Sequence, residues 1–204
     1  MKISIINYGS GNIYSVFKSV IDAGSNPEVV TNPKDLDHAD KIILPGVGSF
    51  YECMMLLKRG NWVDKLIFLV KEKKIPILGI CLGMQLFAKS SYEDQFSDGL
   101  NFIDCDVRSL KELGCDKVIP HMGWNAINFD SKDILFKNIK NNSDFYFAHS
   151  FVCSNFNKKY ITSYCDYGIN FASTISHENI FGTQFHPEKS SKNGKIILKN
   201  FLEF

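Results

Sequence analysis

The sequence predicts an α/β fold: an open, mostly parallel sheet covered by helices on both faces, with an antiparallel β extension in the second half. Two observations support this prediction. Strand-like and helical segments alternate through residues 1–88, as is typical of parallel strands joined by crossover helices. Between residues 101 and 182 the helical periodicity fades, and short β-rich runs replace it.

The first half of the chain supplies four predicted strands and four predicted helices. Residues 2–7 form an apolar run of strand length, and a polar, glycine-rich turn over 8–12 follows it. Apolar residues at helical spacing then predict a helix over 13–23, with Gly24 as its C-terminal cap. The remaining predicted strands are 28–31, 41–44 and 75–80, and the remaining predicted helices are 50–57, 62–73 and 82–88.

The second half is predicted to extend the sheet and to close with a helix over 195–202. Its β-rich runs indicate largely antiparallel strands at 105–108, 125–129, 144–149, 159–165, 171–175 and 180–184. No repeat, low-complexity tract or long linker interrupts the sequence. Residues 1–204 are therefore expected to form one domain.

The composition is that of an ordinary globular protein. Hydrophobic residues make up 45% of the chain and charged residues 22%. The formal net charge is +1, from 23 basic and 22 acidic residues, which argues against nucleic acid or an anionic membrane as a partner. No signal peptide precedes the first strand-like run and no apolar stretch could span a bilayer, so we expect a cytoplasmic protein.

Six cysteines are predicted to be reduced thiols rather than disulfides. The chain is too large to need covalent staples, and it contains no paired CxxC spacing. Most of these side chains are expected to be small buried hydrophobes. The histidines show no metal-ligand spacing either, so neither a metal nor a cofactor is expected.

Cys81 is the strongest candidate for a reactive side chain. An apolar run leads into Gly79 and Cys81, and Gly83 opens a helical segment. A strand that turns sharply into a helix needs glycine where side chains would collide, and it presents the turn residue at the helix N-terminus. The pattern predicts a nucleophile elbow, although a buried structural thiol is the plain alternative.

His186 is the candidate base for that thiol. Pro187 stiffens the turn that follows it, and Glu188 can accept a hydrogen bond from one ring nitrogen. That bond would leave the other nitrogen free to take a thiol proton. A surface histidine beside a solvated glutamate is the alternative. A nucleophile, a base and an orienting acid are the minimum set for acyl transfer.

Three further segments carry possible functions. The glycines of residues 45–48 permit backbone N–H groups to face an oxyanion, although alone the segment could be a plain turn. The turn over 8–12 looks like a phosphate-binding loop but lacks the GxGxxG pattern, so nucleotide binding there is discounted. Residues 121–124 place a Met and a Trp in a predicted loop, either as a docking surface or as a satellite core cluster.

Two stretches together resemble the class I, triad-type glutamine amidotransferases: GICLGMQ at 79–85 and QFHPE at 184–188. A narrower resemblance is to the glutaminase subunits of imidazole glycerol phosphate synthases. It is carried by residues 8–16, 45–50 and 120–125 and by Lys189, and it runs over nearly the whole chain.

The resemblance implies a role for each matching residue. Cys81 would attack the glutamine carboxamide, His186 would pass the proton to departing ammonia, and Glu188 would orient His186. Backbone amides near Val47 and of Leu82 would hold the oxyanion. The positions implied to bind the glutamine head group are Gly48, Gln85, Ser150 and Phe151.

The resemblance also implies a (βα)8-barrel cyclase as partner in a heterodimer. Ammonia would cross the interface to form imidazole glycerol phosphate and AICAR in histidine biosynthesis. The positions that match the interface are Asn12, His121, Met122, Trp124, Tyr146 and Lys189.

Two departures from the family pattern keep a second pathway open. The first strand ends in Asn7 where Asp is usual, and Phe151 stands where Tyr is common. A paralogous glutaminase could feed ammonia to a related barrel or to a sugar amidotransferase, for example in surface-sugar amidination.

A cysteine peptidase or DJ-1-like protein shares a cysteine elbow, but the segments 184–188 and 120–125 argue against it. A binding module with an inactive triad is disfavoured because Cys81, His186 and Glu188 are all present.

Overall fold

The computed structural model describes residues 1–129 and 132–204. Its strands are β1 (Ile3–Ile6), β2 (Pro27–Val30), β3 (Lys41–Gly46), β4 (Ile77–Cys81), β5 (Ser90–Ser91), β6 (Ser97–Asp98), β7 (Asp106–Ser109), β8 (His121–Phe129), β9 (Ser143–His149), β10 (Phe151–Ser154), β11 (Ile161–Asp166), β12 (Asn170–His177) and β13 (Ile180–Thr183). Its α-helices are α1 (Ile13–Asp22), α2 (Phe50–Arg59), α3 (Trp62–Ile67), α4 (Leu82–Gln85) and α5 (Ser191–Glu203).

A nine-stranded mixed sheet forms the centre of the fold, in the order β2-β1-β3-β4-β13-β12-β11-β8-β9. The first five of these strands pair in parallel. From β13 to β9 every pairing is antiparallel. The predicted fold class, a parallel sheet with an antiparallel extension in the second half, is therefore confirmed.

Helices cover both faces of this sheet, as predicted. Neighbouring residues of β3 show the division, because Ile42 packs into one hydrophobic cluster and Ile43 into the other. Helices α2, α3 and α4 bury their apolar residues in the first cluster, whereas α1 and α5 bury theirs in the second. Each fully buried isoleucine contributes about 1.5–3 kcal/mol of hydrophobic stabilisation. Among the described residues, no helix has the length and apolar character needed to cross a bilayer.

A second, four-stranded sheet in the order β10-β7-β5-β6 corrects one prediction. The run predicted at 105–108 corresponds to β7, which belongs to this small sheet and not to the extension of the large one. Strand β10 pairs with β7 in antiparallel fashion, with Phe151 opposite Ser109. The periodicity of a segment can predict a strand, but it does not show which sheet the strand joins.

The prediction of a loop over residues 121–124 is also wrong, because β8 begins at His121. This strand pairs with β9 from His121 opposite His149 to Ile127 opposite Ser143. Two helices are shorter than predicted: the segment 82–88 is α-helical only through Gln85, and α3 passes into a π-helical turn at Phe68–Glu72.

Parallel pairing brings the carboxyl ends of β1, β3 and β4 to one edge of the sheet. Three segments start there: the turn over residues 7–12 after β1, residues 47–49 after β3, and α4 directly after β4. Close packing at this edge depends on glycine: a Cβ atom on Gly79 would lie 2.6 Å from the carbonyl oxygen of Gly83. Crevices at the carboxyl ends of strands in such sheets are the usual place for ligands.

Candidate active site

A cavity of about 410 Å³ opens at this edge of the sheet. Every position predicted to bind substrate or the oxyanion lines it, together with the predicted nucleophile and base. The lining residues are Val47, Gly48, Cys81, Leu82, Gln85, Glu93, Pro120, Met122, Ala148, His149, Ser150, Phe151, His186 and Lys189.

Cys81 occupies the turn between β4 and α4 in a strained conformation. Its backbone angles are φ 54° and ψ −110°, a region that residues with a Cβ rarely adopt. The side chain is only 6% exposed, yet it lines the cavity. Its sulfur accepts a hydrogen bond from Gln184 Nε2 at 3.7 Å. The predicted elbow is thus present in the structure, with the sulfur held between the core and the cavity.

His186 and Glu188 form a buried pair beside Cys81. His186 Nδ1 donates to Glu188 Oε1 over 2.8 Å, and both side chains are almost fully buried. Burial opposes a charge on His186, but hydrogen bonds and charge at Cys81 and Glu188 outweigh it and raise the pKa of His186 to about 10. The imidazole is therefore protonated at neutral pH, with one nitrogen bonded to the carboxylate and the other available to the sulfur.

The backbone around His186 is fixed from two sides. Its N–H donates to the carbonyl of Tyr146 at 2.9 Å, and Ser190 Oγ donates to its carbonyl at 2.6 Å. Glu188 lies on the short 3₁₀ turn Pro187–Lys189, which follows immediately. Together, β9 and this turn hold the ring in one orientation relative to Cys81.

Gln85 and the segment after β9 form the far wall of the cavity. Gln85 Nε2 donates to the Phe151 carbonyl at 2.8 Å and to Gln184 Oε1 at 3.1 Å. The contribution of Phe151 to this network comes from its backbone, so Phe in place of Tyr leaves it intact. The other departure, Asn7, accepts a hydrogen bond from the Gly9 N–H at 3.2 Å and stabilises the turn after β1.

Glu93 and His149 line the cavity, although no sequence pattern predicts them as site residues. Glu93 Oε2 accepts a hydrogen bond from the Phe50 N–H, at the start of α2, at 2.8 Å. Burial raises the pKa of Glu93 despite this bond. Glu93 belongs to no motif in the sequence, so only the tertiary structure reveals it.

His149 is paired with His121 in the core. His149 Nδ1 donates to the Phe151 carbonyl at 3.0 Å, and its Nε2 lies 3.1 Å from His121 Nδ1. Burial and the neighbouring His121 lower the pKa of His149 to about 3, so it is neutral at physiological pH. The pair therefore connects β8 to the segment that carries Ser150 and Phe151.

Four of the six predicted interface residues form a surface cluster at the mouth of the cavity: Met122, Trp124, Tyr146 and Lys189. The Trp124 and Tyr146 rings are 6.0 Å apart, and Lys189 Nζ lies 5.6 Å from the Tyr146 ring. His121, a fifth predicted interface residue, is fully buried and adds no exposed surface to this cluster. Asn12 lies half-buried at the N-cap of α1, on the same edge of the sheet.

The described residues contain no group of three or more His, Cys, Asp or Glu side chains arranged to hold a metal ion. The Cys81 sulfur and the His186 imidazole line the cavity together with the backbone of Leu82. All six cysteines are free and buried.

A cysteine thiol lies beside a buried His–Glu pair at the edge of this mixed sheet, and these are the groups that acyl transfer to sulfur requires. The family model for class-I glutamine amidotransferases matches residues 4–204, and the chain belongs to that family. Imidazole glycerol phosphate synthase subunit HisH 1 of Campylobacter jejuni is 44% identical to the chain over 98% of each protein. Subunit HisH of the same synthase from Pelagibacter ubique is 41% identical over 99% of each.

A solved structure supports the fold independently. A chain in the structure of PurLQS from Thermotoga maritima matches with a TM-score of 0.77 at 18% identity, covering 99% of this chain and 97% of that one. At this level of identity the likeness shows the fold alone.

Proposed function

We propose that this chain is the glutaminase subunit of an imidazole glycerol phosphate synthase, in which it hydrolyses L-glutamine and passes the ammonia to a (βα)8-barrel cyclase. The observation that carries the chemistry is that Cys81 and His186 line one cavity, with Glu188 hydrogen-bonded to His186 behind it. The similarity to HisH subunits over the full chain supports the pathway. Residues 1–204 act as one glutamine amidotransferase domain in this proposal.

The first half of the reaction forms a thioester. The Cys81 sulfur attacks the carboxamide carbon of glutamine, and the oxygen becomes an oxyanion. Backbone N–H groups near Val47 and of Leu82, at the N-terminus of α4, stabilise that charge. The carbon–nitrogen bond then breaks, and the proton on His186 passes to the nitrogen, which leaves as ammonia.

The second half releases glutamate. Neutral His186, oriented by Glu188, accepts a proton from a water molecule as the water attacks the thioester. The second tetrahedral intermediate collapses to glutamate and the Cys81 thiolate, and His186 is protonated again. The high pKa of His186 fits this cycle, because the resting site pairs an imidazolium with the sulfur.

The cavity also offers groups for the amino-acid end of glutamine. Among the described lining residues, Glu93 alone carries a carboxylate, which matches an α-ammonium group. Ser150 and the backbone of Gly48 are positioned to contact the rest of the head group.

The surface cluster suggests where the partner binds. Met122 and Trp124 are 64% and 50% exposed, and aromatic and methionine side chains are enriched in interfaces. Met122 and Lys189 also line the cavity, so ammonia formed at Cys81 would pass this cluster on its way to the barrel. A cytoplasmic location is part of this proposal, and the free cysteines are consistent with it.

Replacing the nucleophile tests the chemistry. Cys81→Ala should lower glutamate formation from L-glutamine by at least about 1,000-fold, because no sulfur remains to form the thioester. Cys115→Ala is the matched control, since Cys115 is also buried but lies outside the cavity. Thermal unfolding of each variant checks the fold. Turnover by a folded Cys81→Ala protein would refute the assignment.

Isotope transfer tests the acceptor. With [amide-¹⁵N]glutamine, the cyclase barrel and its ribonucleotide ligand, ¹⁵N should appear in imidazole glycerol phosphate even when excess unlabelled ammonium is present. Label that reaches only bulk ammonium would argue against transfer through an interface. Label that reaches the product of a different barrel would instead support the paralogous pathway.

A further inference from the structure

Gln184 follows β13 directly and places its side chain against the reacting sulfur. Its backbone N–H donates to the Ser173 carbonyl at 2.9 Å, and the residue is completely buried. Gln184 does not line the cavity, yet its Nε2 lies 3.7 Å from Cys81 Sγ. It therefore reaches the sulfur from the interior of the protein. No role follows for it from the pattern at 184–188, in which the histidine and the glutamate are the acting residues.

The hydrogen bonds of Gln85 fix which end of the Gln184 amide faces the sulfur. The Phe151 carbonyl can only accept, so the group that Gln85 turns toward it at 2.8 Å is its NH₂ group. A second N–H of the same group meets Gln184 at 3.1 Å, where Gln184 must therefore present its carbonyl oxygen. The remaining end of the Gln184 amide, beside Cys81, is then its NH₂ group. A hydrogen-bond donor consequently faces the sulfur.

The charge distribution of the site explains why a donor is useful there. His186 is an imidazolium at neutral pH, so its natural counterpart is a negatively charged sulfur. A buried anion needs hydrogen bonds in place of the water that it has lost, and Cys81 is only 6% exposed. The Ala148 carbonyl, 3.9 Å from the sulfur, has no proton to donate. The Gln184 amide supplies a donor in addition to the imidazolium.

We propose that Gln184 is a further catalytic residue, whose side-chain amide stabilises the Cys81 thiolate by a hydrogen bond from the interior side of the sulfur. The bond acts at the two stages where the sulfur is negative: before it attacks the carboxamide, and when it leaves the second tetrahedral intermediate. This inference rests on the proposed glutaminase function and adds to it a second donor to the sulfur.

The titratable groups near the sulfur all stay in place when Gln184 is replaced. His186, with Glu188 behind it, faces the sulfur from the segment after β13. The Tyr8 hydroxyl lies on the turn after β1, and burial raises its pKa well above the ordinary value, so it is neutral. Three further titratable groups line the same cavity: Glu93, His149 and Lys189. A changed pH profile in a Gln184 variant therefore reports the lost donor.

Alkylation of Cys81 by iodoacetamide measures the stability of the thiolate without any need for glutamine. Gln184→Met and Gln184→Leu both replace the amide with an apolar side chain. In each, the pH midpoint of the alkylation rate, followed on the tryptic peptide 75–89, should rise by about one unit, because a hydrogen bond to a charged group is worth at least about tenfold. The plateau rate above the midpoint should not fall, since the thiolate itself remains a nucleophile.

Turnover should respond to the same substitutions. The kcat for L-glutamine should fall by about three- to tenfold, because the sulfur carries part of the charge in each transition state. In the wild type, the ¹⁵N resonance of the Gln184 side-chain amide should move with the midpoint of alkylation, a measurement that needs no variant.

Thr174→Val is the matched control. Thr174 is fully buried on the neighbouring strand β12, and its hydroxyl donates to Ser163 Oγ at 2.7 Å. Loss of this buried hydrogen bond should leave both the alkylation midpoint and kcat unchanged. Unchanged midpoints or an unchanged kcat in both Gln184 variants would overturn the inference, as would an equal shift in Thr174→Val. A wild-type chain that hydrolyses no glutamine, with or without the cyclase, would refute the proposed function instead, and the alkylation midpoints would still test the hydrogen bond.

Discussion

His186 is the residue on which the chemistry of the site depends most directly. Burial alone would lower its pKa, because a buried imidazolium loses its hydration. The sulfur of Cys81 and the carboxylate of Glu188 act in the opposite direction and prevail, since the pKa rises to about 10. The charge state of the ring is thus set by two neighbours, each of which can be removed separately.

Glu188→Gln should lower the pKa of His186. A negative neighbour favours the protonated form of a histidine, so removing the carboxylate removes one raising influence while the burial that lowers the pKa remains. The titration midpoint should therefore move down from about 10 toward the ordinary value near 6.5. On the alkaline side of its pH profile, glutaminase activity should then begin to fall at a lower pH, because His186 loses its proton earlier. Titration of ¹⁵N-labelled imidazole by NMR measures the shift directly.

Glu178→Gln is a suitable control for this titration. Glu178 is exposed and pairs with Lys74 at 2.7 Å, and it does not belong to the lining of the cavity. Its replacement should leave the His186 midpoint where it is. An unshifted midpoint in Glu188→Gln would contradict the account of how the ring is charged.

The residues that sequence could identify are those that belong to contiguous patterns. Cys81 lies between two glycines in a strand-to-helix transition, and His186 is followed two residues later by Glu188. Glu93 and His149 reach the same cavity from separate segments, with no local signal of their own. Distance along the chain hides such residues until the fold brings them together.

Among the elements, the elbow between β4 and α4 is the one that sets the geometry of the nucleophile. A Cβ atom on Gly83 would collide with the carbonyl oxygen of Leu44, in the neighbouring strand β3. The helix can therefore start this close to the sheet only with glycine here. The positive φ of Cys81 is sustained by this packing.

Gly83→Ala should destabilise the fold by about 2–3 kcal/mol, because the backbone of β3 or α4 must move to admit the methyl group. Gly24→Ala is the comparison: its φ is 99°, but a Cβ atom there meets nothing within 4 Å. It should cost only the conformational penalty, about 1 kcal/mol. Urea unfolding measures both. Equal losses in the two variants would show that close packing at the elbow is not what Gly83 provides.

Helices and strands could be predicted where the spacing of apolar residues within the segment itself shows the period of a helix or a strand. The parallel strands and their helices follow from apolar spacing, and β13 and α5 lie close to where they were expected. Pro120 and Gly123 are residue types common in turns, which favours a loop at 121–124, yet pairing with β9 makes this segment a strand. Strands β5 and β6 have two residues each, which is too short for any period to show.

At the scale of the whole molecule, the cavity and the surface cluster share one side of the protein. Met122 and Lys189 belong to both, so the opening to the nucleophile lies beside the exposed ring of Trp124. His121 and Met122 are neighbours on β8 with opposite exposure, one buried against His149 and the other in solvent. A partner that binds Met122 and Trp124 would therefore press on the strand that also supports the wall of the cavity.

Trp124→Ala should weaken the proposed complex with the cyclase barrel by about 10–100-fold, since large aromatic side chains dominate interface energies. Glutaminase activity of the chain alone should not change, because Trp124 does not line the cavity. Phe68→Ala is the matched control, with a comparably exposed ring at the other end of β4, where α3 and its π-helical turn lead into the strand. Titration calorimetry measures affinity, and glutamate release measures activity. Equal affinities for wild type and Trp124→Ala would place the partner elsewhere, whereas a loss in Phe68→Ala would indicate binding at the opposite end of the sheet.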